Sequence, residues 1–186
     1  MSERLLPAPG VYAFDPVHTF VAFAARHKVV GMVRGRFDDL RGSVMIDDDP
    51  ASCSVELSIE ASSIDTRNRW RDDDLRGDDF FDAARYQTIR YAGTGFAESD
   101  GTWSLSGNLT IRAITQVIPV QFTYRGTLRT PGQPDRLGFH CLAATRREDF
   151  GMTRDLLDEI GVRAADPDVW IEVDVEALSA EDPKTA

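Results

Sequence analysis

Cysteine is scarce in this chain: Cys53 and Cys141 are the only two among 186 residues. Two cannot make a disulfide framework, and both fall on the apolar side of predicted strands, where they read as buried thiols. Lysine is rarer still within its class, since 19 of 21 basic residues are arginine and only Lys28 and Lys184 are not. Acidic residues number 31, and the formal net charge of −10 repels phosphate on average. That argues against nucleic acid and against an anionic surface met at large, while leaving room for local arginine patches. No apolar run approaches the ~20 residues of a membrane-spanning helix. The opening MSERLLPAPG lacks a secretory h-region, so the expected compartment is the cytoplasm. Histidine occurs three times. There is no G-x-S-x-G elbow, no phosphate loop and no histidine or cysteine set spaced for zinc, so neither catalytic residues, a metal nor a cofactor is assigned.

What the chain does contain is alternation. In CSVELSIE, Cys53, Val55, Leu57 and Ile59 face one way and Ser54, Glu56, Ser58 and Glu60 the other. WSLSGNLTI and VWIEVDVEAL repeat the pattern through Leu105, Leu109 and Ile111 and through Val169, Ile171, Val173 and Val175. Weaker strands are predicted at 10–14, 19–26, 35–46, 88–96, 117–128 and 137–148, separated by turn chemistry such as DDDP (47–50), ESDG (98–101) and PGQPD (131–135). Eight or nine strands at hairpin spacing, each with one dry face, predict an all-β antiparallel domain. Closure into a barrel would remove its exposed edges. Small and aromatic residues (Ala22, Phe23, Ala24, Tyr91, Gly93, Gly107, Ala143, Ala144) recur where a packed sandwich would carry Leu and Ile. A barrel lined this way can keep a cavity for one small ligand. One domain over 8–178 is expected, with short tails at 1–7 and 179–186.

Only 67–76 and RDLLDEIG (154–161) read as short helix. The stretch RNRWRDDDLRGDDFFD (67–82) is dominated by charge and ends on Phe80 and Phe81. Trp70 and Leu75 lie about 140° apart on a helix, so no apolar stripe forms and the segment belongs on a rim. The Asp72–Asp73–Asp74 run lacks the alternating order of a calcium loop and reads as a salt-bridged cluster.

Four blocks, FDPVHTFVAFAARHKVVGMVRGRF (14–37), SIEASSIDTRNRWRDDDLRGDDFFD (58–82), GNLTIRAIT (107–115) and TRREDFGM (145–152), resemble in order the signature blocks of the YceI-like, polyisoprenoid-binding proteins. The resemblance spans about residues 10–178. It implies a lipocalin-like, extended eight-stranded antiparallel barrel. Its apolar channel would hold a long isoprenoid lipid, either a polyprenyl phosphate or an isoprenoid quinone. Two departures stand out: Asp74 where many relatives read R-D-x-H-L, and Ala113 where a glycine is frequent. Asp74 adds negative charge to the rim, which favours a neutral quinone head group.

The ligand-binding residues expected on this basis are His18, Phe20, Phe23, Arg26, His27, Arg36, Asp65, Arg71, Asp72, Phe80, Phe81, Arg147 and Phe150. The arginines would meet a head group or pair with Asp65 and Asp72, and the phenylalanines would line or close the channel. The expected function is non-catalytic binding, transport or storage of the lipid, with no nucleic-acid partner, no membrane span and a homodimer allowed. Two other readings stand beside it. One is a hydrolytic or isomerising enzyme using His18 or His27 with Asp15 or Asp65. The other is a broad-specificity, stress-related binder of amphipathic small molecules.

Overall fold

The computed structural model describes residues 6–27, 31–100, 102–154 and 165–180. Eleven strand segments and one helix follow the predicted alternation: β1 (Gly10–Phe14), β2 (Phe20–His27), β3 (Gly31–Phe37), β4 (Leu40–Ile46), β5 (Ser54–Glu60), β6 (Ile64–Asp65), α1 (Arg69–Arg76), β7 (Thr88–Ser99), β8 (Thr102–Ile111), β9 (Ile114–Leu128), β10 (Arg136–Arg146) and β11 (Ala165–Ser179). All pairings are antiparallel. The expected helix at 154–161 falls outside the described residues, apart from Arg154.

The register reduces eleven segments to eight rows. Along β11, Ser179 to Ala177 pair with β1 and Asp174 to Ala165 pair with β2. β1 and β2 are therefore one strand interrupted at 15–19. β3 with β4, and β5 with β6, are likewise single rows interrupted at 38–39 and 61–63. β7 to β11 complete the ring, and the β1–β11 pairing closes it into an eight-stranded antiparallel barrel.

The predicted strand 35–46 is thus broken, and the bonds at the break say why. Asp38 N–H donates to Ser63 O while Asp39 O accepts from Glu60 N. The row stays paired on both sides of a short 3-10 turn, Ala61–Ser63. At 15–19 the same service comes from Glu176, whose carbonyl accepts from Asp15 N–H and from Thr19 Oγ1. Backbone groups that leave the ladder at each excursion are satisfied across it.

Inward positions keep the period of two. The lower end of the barrel is packed by Leu6, Tyr12, Ile46, Cys53, Phe122 and Leu137. The upper end is packed by Phe37, Ile64, Phe80, Ile111, Phe150 and Met152. Cys53 is fully buried, and its sulfur accepts from Asp47 N–H.

The apolar lumen and its braced rim

Between the two packed ends lies a lumen of about 190 Å³. Its wall runs from Phe14, Val44 and Phe96 below, past Tyr91 and Val173, to Phe81 and Phe150 above. Among the described residues, four side chains with polar atoms join that wall: Tyr91, Cys141, Thr145 and Arg147. Tyr91 spends its hydroxyl on Ile118 O at 3.2 Å, and burial pushes it up to about 12. The Cys141 thiol is also pushed up to about 12, chiefly by burial and then by the Asp174 carboxylate. Arg147 donates from Nη1 to Arg154 O at 2.8 Å. Thr145 Oγ1 is buried and has no hydrogen-bond partner among the described residues. An unpaired buried hydroxyl costs roughly 1–3 kcal/mol, and it lies at the upper end of β10, two residues before Arg147.

The charged stretch 67–82 becomes intelligible as a brace. Asn68 caps α1 by accepting from Arg71 N–H. Asp72 is buried and its Oδ1 accepts from Thr66 N–H at 2.8 Å and Thr66 Oγ1 at 2.6 Å. Arg71 returns to the same threonine, with Nε to Oγ1 and Nη2 to the carbonyl. Arg76 donates to Ser62 O and Ile64 O, fixing the other end of the helix against β6. Beyond Gly77 the chain folds back, with Phe81 N–H donating to Leu75 O and Ala83 N–H to Arg76 O. That reversal sets Phe80 into the upper core and Phe81 into the lumen wall, where its ring meets Phe37 edge-on at 5.7 Å.

A second segment comes over the same end. The turn Arg147–Phe150 is closed by Gly151 at φ 74°, which side chains other than glycine rarely adopt. The turn drives Phe150 wholly inside and Met152 nearly so. Arg154 then reaches the first segment through ion pairs to Asp74 (3.3 Å) and Asp79. Asp74, one of the two departures noted in the sequence, is thus a partner of this tie between the two covering segments.

The structure divides the expected site residues into three groups. Phe23, Phe81, Arg147 and Phe150 line the lumen, with Phe80 buried just behind them. Arg36, Asp65, Arg71 and Asp72 bind one another's neighbourhood together: Arg36 pairs with Asp38 at 2.7 Å and Asp65 at 3.5 Å, and Asp65 accepts from Arg67 N–H. The third group lies away from the lumen. Phe20 is exposed, and Arg26 is exposed with Asp166 at 3.9 Å. His27 ends β2 opposite Gly31. His18 sits on the outer surface, its Nδ1 2.8 Å from Asp15 and 3.3 Å from Glu176. These three residues bring their ligand atoms close enough for a metal ion, but Arg136 Nη1 already bonds both carboxylates at 3.2 and 3.0 Å. The bond from His18 is the main reason that Asp15 is held below its ordinary value.

Thr145 was absent from the expected set, although strand parity pointed to it. It continues the inward series Leu137, Phe139, Cys141, Ala143 along β10. Tyr91, Ile118 and Val173 follow the same rule on their own strands.

Comparison with known proteins places this geometry among others. A UPF0312 protein of Yersinia pestis is 30% identical over 140 residues, covering 75% of this chain and 73% of that one. The crystal structure of Burkholderia cenocepacia BcnA superposes with a TM-score of 0.73 at 19% identity, over 88% of this chain and 98% of that one. A polyisoprenoid-binding domain from Saccharophagus degradans, implicated in plant cell wall breakdown, gives 0.70 at 19% identity, over 91% and 98%. The YceI-like domain matches residues 12–177, nearly the whole barrel, and the chain belongs to the YceI-like family.

Proposed function

We propose that the protein binds, carries or stores a long isoprenoid lipid with a neutral, oxygen-bearing head, of which an isoprenoid quinone is the type. The observation that carries this reading is the lumen: an apolar bore of about 190 Å³ between two packed ends, inside a barrel of eight rows. Each isoprene unit seated there would contribute about 4 kcal/mol gross at ~0.8 kcal/mol per buried carbon, before the ordering of the chain is counted. Thr145 and Arg147 supply donors near the upper end, which suits a carbonyl. A phosphate dianion would need several cations within a dry wall that, among the described residues, offers one arginine. The Saccharophagus neighbour, described as a polyisoprenoid-binding domain, agrees with the ligand class.

The composition of the wall supports carriage over catalysis. Among the described residues it holds neither a histidine nor a carboxylate, so no group of ordinary basicity faces a bound chain. His18, with Asp15, lies outside the barrel.

Organic-solvent extraction of the purified protein, with mass spectrometry of the extract, tests the reading. Recovery of a quinone or polyprenyl lipid in near-stoichiometric amount is expected. An empty extract, together with no quench of tryptophan emission on titration with a quinone or a polyprenyl phosphate, refutes it. Retention of unrelated amphipathic molecules would point to the broad-specificity binder instead.

A further inference from the structure

The tip of the rim has a property that the brace does not need. Trp70 is 88% exposed, more than any other large apolar side chain among the described residues. It is not a loose appendage. Asn68 caps the helix beneath it, Arg71 and Asp72 tie the first turn to Thr66, and Arg76 fixes the last turn to β6. Trp70 stands about 200° around the helix from the buried Asp72, so the anchoring itself turns the indole outward. Arg67 and Arg69 flank it and are exposed. The nearest carboxylate to Arg69 is Asp73 at 3.9 Å, and Asp73 is closer to Arg76, at 3.1 Å.

Position gives the tip its meaning. The same segment continues into Phe80 and Phe81, which cover and line the upper end of the lumen. At the opposite end the turns carry Asp47, Asp48, Asp49 and Asp100, with Glu98 at the end of β7 beside them. The molecule therefore presents at one pole an Arg–Asn–Arg–Trp tip, with the exposed Asp73, Asp78 and Asp79 set behind it and Asp79 paired to Arg154, and at the other a run of carboxylates. Its overall charge of −10 is repelled by an anionic surface, but least of all when the tip leads. Indole and guanidinium together suit the headgroup layer of a bilayer, where the ring sits at the water–hydrocarbon boundary and the cations meet phosphates.

We propose that Trp70, Arg67 and Arg69 dock the upper rim onto an anionic phospholipid bilayer, with the lumen's covered end facing the membrane. This rests on the carrier reading for its purpose, since a cargo nearly insoluble in water must be exchanged with a membrane, but it can fail separately. The test is flotation of the full chain with mixed phosphatidylcholine–phosphatidylglycerol vesicles, read beside tryptophan emission. Wild type should float and its emission shift to the blue. Trp70→Ala should abolish the shift and weaken binding at least fivefold. The pair Arg67→Ala and Arg69→Ala should weaken it about 25-fold, at ~1 kcal/mol for each basic residue at an anionic surface. Melting temperatures should stay at the wild-type value, because all three side chains project into solvent. Wild type that fails to float, or variants that float as it does, would overturn the docking. Docking by a protein that takes up no quinone or polyprenyl phosphate from detergent would leave the docking standing and overturn the carrier reading alone.

Discussion

Replacing Gly35 by alanine should narrow the channel without breaking the barrel, and the structure sets the size of the effect. A Cβ at Gly35 would lie 2.4 Å from Phe23 Cζ, 2.8 Å from Cε1 and 2.8 Å from Thr66 Cγ2. Carbon atoms in contact need roughly 3.5–4.0 Å, so something must retreat by about 1 Å. Thr66 is fixed by Asp72 and Arg71, so the phenylalanine ring yields. Phe23 leans on Phe37 at 5.7 Å and lines the lumen, so its retreat takes space from the ligand. Overpacking of this kind costs about 1–3 kcal/mol of stability. Excluding one or two carbons of a bound chain costs about 0.8 kcal/mol each, a four- to fifteenfold loss of affinity. Phe23→Leu shortens the offending ring and should restore most of both losses in the double variant. A double-mutant cycle by thermal unfolding and quinone titration should give a coupling of about 1–2 kcal/mol. Strict additivity, or a Gly35→Ala protein with unchanged affinity, would refute the argument. Gly42 and Gly107 should tolerate alanine less well, because there the new Cβ meets backbone oxygens, Glu56 O at 2.5 Å and Ala92 O at 2.7 Å.

Four further outcomes are expected. Phe81→Ala should lower both melting temperature and ligand affinity, by about 2–3 kcal/mol in stability for a partly buried ring. Asp73→Ala should cost no more than about 1 kcal/mol, because that carboxylate is exposed and its pair with Arg76 is a surface one. The native protein should resist thiol reagents at pH 8, Cys53 by complete burial and Cys141 because its thiol is pushed up to about 12, and both should label once the chain is unfolded; rapid native labelling would contradict the packing. Asp15, held below its ordinary 3.8 chiefly by His18, stabilises the fold fully above that value and progressively less as pH falls through its lower native one. Asp15→Asn should therefore show a shallower loss of melting temperature below about pH 4 than wild type, and parallel curves would dismiss the contribution.

Much of the barrel was legible because its chemistry is periodic. Val55, Leu57 and Ile59, or Val169 to Val175, announce a strand and its dry face without any knowledge of partners. The lumen wall follows from the same parity. What parity cannot see is the interruption of a row. Asp38 and Asp39 continue an extended pattern in the sequence, and only their bonds to Ser63 and Glu60 show that the strand steps there. The site was legible in part for a related reason. Phe81 and Phe150 are set by turns whose chemistry is local, and Asp72 by a threonine six residues away. His18 was expected among the ligand residues from the family resemblance, and the structure places it outside the barrel. Its partners are Asp15 and Glu176, whose carboxylates also take Arg136, and the four residues meet on the outer surface from separate parts of the sequence. Such a meeting has no signature in spacing.

The stepped rows leave one seam in the wall. Above Phe37, Gly31 to Gly35 of β3 pair with β2 on one side, and among the described residues no strand takes the other. Arg34 stands on this free edge and discourages a foreign strand from adding to it. On the far wall, β8, β9 and β10 are paired along both sides for most of their length. Amide hydrogen exchange should accordingly be lopsided, fast in the upper part of β3 and slow across β8 to β10. For a ribbon-like guest, such a seam changes the topology of entry. A chain bound as proposed above would enter past Phe81 and Phe150 beside an edge that has no ladder bonds to part on one side among the described residues, rather than through a fully laced ring of strands.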